Sequence, residues 1–348
     1  MSAGRVSLCP GLRGRLREHA QATGGLASSS GTPPQPVANM PVGQYLPNVL
    51  TRPRPAPVWP KVTLLTVLAL GPACAPAPPD ELLFEPDEEA SGALGERGPW
   101  GARVAHRSLE PAESGAVDAD VFVPFEGPAA GPFPVVIFVQ GGAVAPERYR
   151  WLGGHLATRG VVVAAPSYPF DLALLAVDHS ARALGGLRAA SDNLDDELAG
   201  LVGDAALVCG HSLGGVVAAK AWLAEPDFAA LALFASFPDE ADSFEGRDGA
   251  VLSVVGSADA KSAVAEVVAG AAAFEAPRVV VVDEMTHYQW TDSATEGEID
   301  GDAVPTLPDE EVRRVALAFV DALVEEVAGS TPWPFDDEAS WPAGSRAP

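Results

Sequence analysis

The chain has 348 residues, 47% of them apolar, and a formal net charge of −25. That length and apolar share allow one large domain or two smaller ones and exclude a wholly disordered chain. Residues 1–61 hold seven Lys/Arg and one Glu, so the other 15 basic and 46 acidic side chains fall in residues 62–348; so acidic a body argues against nucleic acid or anionic lipid as its main partner.

Residues 1–60 have no sustained hydrophobic period and are rich in Pro, Gly, Ser and Arg, as in "ATGGLASSSGTPPQPVANMP". They read as a disordered leader, or as sequence ahead of a true translation start at or after Met40. In residues 61–74, Lys61 precedes the apolar run Val62 to Leu70, followed by small residues and Cys74. Nine residues are too few to span a bilayer as a helix but match the apolar region of an export signal. Gly-Pro-Ala-Cys resembles a bacterial lipobox with Gly71 in place of the usual leucine, which makes Cys74 a candidate for lipidation and membrane tethering. The expectation is export to the periplasm or a lipid-anchored place in the cell envelope, and a cytoplasmic protein if 61–74 is not a signal. An acidic, Pro-rich linker at 75–100 follows.

From residue 101 the pattern is that of a folded domain, expected to run to 329, with a flexible tail at 330–348. "ARVAHRSL" and "AVDADVFVP" alternate as antiparallel edge strands do. "FPVVIFVQGG" and "VVVAAP" are continuous apolar runs, as in strands buried on both faces, with the helix "PERYRWLGGHLATRG" between them ending at Gly160. "SDNLDDELAGLVG" reads as a helix capped by Ser191 or Asp192. Then come the strand "AALVCG", the helix "SLGGVVAAKAWLAE", the strands "FAALALFAS" and "AVLSVVGS", the helix "AKSAVAEVVAGAAAF" and the strand "RVVVVDE". The helix "PDEEVRRVALAFVDALVEEV", with Pro308 near its first position, closes the domain. Strands alternating with helices predict an α/β protein with a mainly parallel central sheet of about eight strands flanked by helices. That is the layout of the α/β-hydrolase fold. Only 14 residues, "FPDEADSFEGRDGA", separate two of the late strands, so no large cap domain is expected.

Within this frame "GHSLGG" acquires meaning. Ser212 falls where a strand turns into a helix, the setting of a nucleophile elbow, in which very small neighbours such as Gly210 and Gly214 are needed. A serine nucleophile needs a base. Of the six histidines, at 19, 106, 155, 179, 211 and 287, only His287 follows Ser212 with room for an acid between them. His211, inside the elbow, reads as structural. Asp259, in a loop after a strand, is the favoured acid; Asp239 and Glu240, after the preceding strand, are the rivals. For the oxyanion hole the expected backbone donors are Leu213 and a glycine of "VQGGAV", Gly142 by preference with Gly141 as the alternative. Tyr168, Phe170, Tyr288 and Trp290 are candidate pocket aromatics. No metal spacing such as C-x-x-C occurs among Cys9, Cys74 and Cys209, and Cys209 reads as a buried strand residue.

The stretches "VVIFVQGGAVAPERYRWLGGHLATRGVVVAAPSYPFDLALL", "GHSLGG", "FASFPDE", "VLSVVGSADA" and "VVVVDEMTHYQW" resemble the dienelactone-hydrolase-like and chlorophyllase-like α/β hydrolases, in particular a bacterial branch of largely unassigned substrate. The resemblance spans about residues 132–325. It implies an esterase-type serine hydrolase with Ser212, Asp259 and His287 as nucleophile, acid and base, and with no cofactor or metal. Two departures stand near the histidine: Glu284-Met285-Thr286 replaces a glycine-rich turn, and Gln289-Trp290 replaces Phe-Gly. The expected partner is a small-molecule ester in an open site, lidded at most by the segment after Pro166 and by residues 288–306. Two other readings share these residues: an acyltransferase on the same fold, and a non-catalytic binding protein. The first differs only in its acceptor, and the second has no chemical need for all three triad residues.

Overall fold

A computed structural model of the chain describes residues 80–348 except 113, 169–176, 293 and 295–298. The 1–60 leader, the 61–74 segment with Cys74, and Phe170 lie outside the described residues. In chain order the elements are β1 (Glu81–Phe84), β2 (Gly101–Leu109), β3 (Val117–Phe125), β4 (Phe133–Val139), α1 (Arg150–Thr158), β5 (Val162–Pro166), α2 (His179–Asp192), β6 (Val202–His211), α3 (Leu213–Ala224), β7 (Ala230–Phe234), β8 (Ala250–Gly256), α4 (Val264–Ala271), β9 (Arg278–Val282), α5 (Asp309–Val327) and β10 (Ser345–Arg346). The strands form one sheet in the order β1-β2-β3-β5-β4-β6-β7-β8-β9-β10. The six from β5 to β9 in this order run parallel; β1, β2 and β3 at one side and β10 at the other pair antiparallel.

The apolar runs explain the three layers. Along β4, Val136 and Phe138 join the core under α1 and α5, whereas Val135, Ile137 and Val139 join the core under α2 and α3. Successive strand residues face opposite sides, so a strand covered on both faces must be apolar at every position. The same holds for α3, wedged against the middle of the sheet. It buries Val217, Ala218, Ala219, Ala221 and Trp222, and its small residues let it sit close to the strands. β7 ends at Phe234 and β8 begins at Ala250, so no cap domain lies between them.

Four features differ from the sequence reading. The sheet has ten strands, not about eight, because both of its edges are extended by segments that lack a long apolar run. At one edge, the stretch expected to be a linker supplies β1 and a loop fastened to the domain: Arg159 donates to the carbonyls of Gly92, Ala93 and Glu96, and the Gly95 amide donates to the buried Asp321 carboxylate at 2.8 Å. β2 and β3 are therefore interior strands. At the other edge, the expected flexible tail buries Trp333 and Phe335 against Phe319 of α5 and adds β10 to β9.

The fourth difference is α2, which covers His179–Asp192 rather than "SDNLDDELAGLVG". Downstream of it, the Asn193 and Asp196 side chains accept the amides of Asp195 and Leu198, two residues on. Such local bonds favour turns over helix.

Candidate active site

Ser212 sits between β6 and α3 with φ 53° and ψ −124°, a left-handed conformation rare for a residue with a side chain. Holding it there costs about 1–3 kcal/mol, which the surrounding structure must impose. It does so by close approach. A Cβ on Gly210 would collide with the Gly214 carbonyl, and one on Gly214 would collide with the carbonyls of Val139 and Gln140. The two flanking glycines thus let α3 start directly against the ends of β4 and β6. The Ser212 amide donates to Phe234 O at 2.9 Å, and its carbonyl accepts from Ser236 Oγ at 2.6 Å and from the Gly215 amide at 2.9 Å. The hydroxyl stands at the N-terminus of α3, where the helix dipole favours negative charge.

Asp259 follows β8 and His287 follows β9, so both reach the edge of the sheet where Ser212 lies, the carboxyl ends of the parallel strands. His287 Nδ1 lies 2.9 Å from Asp259 Oδ2, and both residues are buried. Asp259 Oδ1 accepts the amides of Lys261 at 2.9 Å and Ser262 at 2.7 Å. The carboxylate is thus fixed by its own loop, with one oxygen left for the imidazole. With Nδ1–H given to Asp259, the lone pair of a neutral His287 is on Nε2. Among the described residues no hydrogen bond joins Ser212 Oγ to His287. The rival acids are elsewhere: Asp239 is exposed and pairs with Lys220 at 3.2 Å, and Glu240 is exposed.

His287 is carried on a 3-10 turn, His287–Trp290, opened by a capping box between Thr286 and Gln289. Gln289 Oε1 accepts the Thr286 amide at 2.9 Å, while Gln289 Nε2 donates to Leu307 O and Asp309 Oδ1 at the start of α5. The departure Gln289 is therefore a clamp on the His287 turn. Glu284 takes φ 59° where a glycine would be unstrained. The Asp259 and His287 loops are laced together: Ala258 N donates to Met285 O at 3.1 Å and Glu284 N to Ser257 Oγ at 2.9 Å. Asp302 bridges them, accepting the Ala260 amide on Oδ1 at 3.1 Å and the Tyr288 amide on Oδ2 at 3.2 Å. The sequence carries no signal for Asp302, one acid among many.

On the other side of Ser212 the two candidate oxyanion residues touch. A Cβ on Gly142 would stand 2.8 Å from Leu213 Cδ2. The Gly141 amide is engaged, donating to the Tyr149 hydroxyl at 2.9 Å, whereas among the described residues the Gly142 and Leu213 amides have no hydrogen-bond partner. Tyr149 in turn lies 2.9 Å from His211 Nδ1. His211 is 1% exposed, and burial, with the His287 ring 4.7 Å away as a second cause, holds it well below the usual imidazole range. It is held neutral beside the His287 ring.

The aromatic expectations divide. Trp290 is a core residue, not a pocket wall: it stacks on Phe234 at 4.5 Å because the turn of the 3-10 segment points it inward. Tyr168 is buried against the His179 ring at 5.3 Å, and burial pushes its hydroxyl up. Tyr288 is half-buried and meets the His287 ring edge-on at 5.2 Å. Cys209 is a buried strand residue whose thiol burial pushes up, so it is no ready nucleophile. Among the described residues there is no group of three His, Cys, Asp or Glu that could hold a metal ion, and no helix long and apolar enough to cross a membrane.

The model of the alpha/beta hydrolase family matches residues 135–313, from β4 into the first turn of α5, and so includes Ser212, Asp259 and His287. The chain belongs to the alpha/beta hydrolase family, whose members are mostly hydrolytic enzymes, and its function is of the hydrolase type. No curated protein matches the chain.

Proposed function

We propose that this protein is a serine hydrolase of carboxylic esters, working through an acyl-enzyme on Ser212, Asp259 and His287. The observation that carries the reading is the buried Asp259–His287 pair at 2.9 Å, set on the same sheet edge as a serine in the left-handed region. His287 Nε2 takes the proton of Ser212 Oγ, which bonds to the ester carbonyl carbon. The negative charge moves to the carbonyl oxygen, where the amides of Leu213 and Gly142 receive it. Collapse breaks the carbon–oxygen bond, and the alcohol leaves with the proton from His287. Water then gives a proton to His287 and attacks the acyl carbon, releasing the acid and restoring Ser212. Asp259 stabilises the imidazolium in both halves and stays ionised.

The stretches around Ser212 and His287 support placing the enzyme in the dienelactone-hydrolase-like branch. The Val62–Leu70 run and Cys74 support an exported, tethered enzyme. The test is labelling with a fluorophosphonate probe together with turnover of short-chain p-nitrophenyl esters. Ser212→Ala is expected to abolish labelling and to lower the rate at least ~10³-fold. Unlabelled wild type, or undiminished labelling of the variant, would sink the proposal.

A further inference from the structure

The oxyanion loop is a turn held from both ends. Gly141 O accepts the Val144 amide at 3.2 Å, and Ala143 has φ 58° at the third position, as a type II turn requires. The Gly141 amide, meanwhile, is drawn to the hydroxyl of Tyr149, eight residues further along and just before α1. That hydroxyl is buried and 2.9 Å from Nδ1 of His211, the residue just before Ser212. A phenol that accepts an amide proton still has its own proton to give, and a neutral His211 can accept it on Nδ1. The result is a chain, Gly141 amide to Tyr149 oxygen to His211 ring, that ties the oxyanion loop to the elbow. The chain ends 4.7 Å from the His287 ring.

We infer that Tyr149 and His211 are positioning residues. By taking the Gly141 amide, the Tyr149 hydroxyl, oriented by His211, locks the turn with the Gly142 amide beside Leu213 as the second oxyanion donor. Neither side chain touches substrate. This rests on the ester-hydrolase reading above and deepens it. A displacement of an oxyanion donor by a fraction of an ångström is felt mainly in the transition state, because the donors are aimed at where charge develops.

The test compares Tyr149→Phe, His211→Phe and His211→Gln with wild type in p-nitrophenyl ester turnover, thermal melting and binding of an alkyl boronic acid, whose serine adduct carries the tetrahedral anion. Tyr149→Phe keeps the ring and is expected to melt cooperatively. Its kcat should fall about 10- to 100-fold with KM within about twofold, and boronate affinity should fall in step with kcat. His211→Phe should do the same from the other end of the chain. His211→Gln, whose amide oxygen can accept the phenolic proton, should recover most of kcat. Wild-type kcat and boronate affinity in both Phe variants would overturn the inference, as would a fall in kcat with boronate affinity unchanged. Should Tyr149→Phe not fold, the two His211 variants decide alone, equal activity of the two counting against the inference. Wild type that neither turns over esters nor labels would instead overturn the hydrolase reading itself.

Discussion

Asp259 and Asp239 each follow a parallel strand on the same edge of the sheet, and residue-scale physics separates them. Asp259 is 6% exposed, with one oxygen saturated by two amides of its own loop and the other given to His287. Asp239 is exposed; the Ala241 amide and then the Lys220 ammonium hold its carboxyl below the usual range, so it is a satisfied surface acid. Asp259→Asn should lower kcat by about 10²- to 10⁴-fold with the fold intact, the scale of losing the acid that orients a catalytic histidine. Asp239→Asn should stay within about threefold of wild type. Steady-state kinetics on both variants checks this, and a reversed order would move the acid to Asp239. The placement of Ser212, Asp259 and His287 at one sheet edge is legible because each is set by local rules: a steric motif, a strand end, the last histidine. The hydroxyl contact of Tyr149 is not, because its partner His211 is 62 residues away in the chain.

At the scale of elements, the β–α alternation was legible wherever a strand was apolar on both faces or a helix kept its period. It failed at α2, whose Gly185-Gly186 pair disguises it. A Cβ on Gly186 would lie 2.7 Å from Leu109 Cβ, so the helix needs glycine to approach β2. Ser191 and Asp192, which end α2, are good N-cap residue types, and with the acid-rich run after them they read as the start of a helix rather than the end of one. Asp302 was hidden for a different reason, since its two hydrogen bonds join loops that meet only in the folded chain. Asp302→Ala should loosen the Asp259 loop against the His287 turn. The expected outcome is a stability loss of about 1–3 kcal/mol by urea unfolding, for two amides deprived of a charged acceptor. A kcat loss of at least about 5-fold should accompany it, from the misplaced base. Wild-type kcat in a destabilised variant would show the clamp to be structural only.

For the whole molecule, the two edges of the sheet matter most, and composition misled at both. A Pro-rich, acidic stretch reads as linker or tail because such residues rarely pack, yet a few aromatic side chains suffice to dock it. Phe319 of α5 meets Phe335 at 4.7 Å and Trp341 at 5.2 Å, and Arg278 of β9 lies over the Trp333 ring at 4.1 Å. β10 then covers β9, with the Gly344 carbonyl accepting the Asp283 amide at 2.8 Å, four residues before His287. An uncovered edge strand is a template for pairing with another chain. Truncation after Gly329 should therefore do two separable things. Removing the burial of Trp333 and Phe335 should lower the unfolding free energy by about 3–6 kcal/mol, read from the urea midpoint. Exposing β9 should make the shortened protein associate with time in light scattering, an association that the full chain should not show. Because β9 leads directly into the turn that carries His287, the truncated protein should also lose ester turnover before it loses secondary structure on mild heating. A shortened chain as stable, monomeric and active as the full one would make the docked tail incidental to the site.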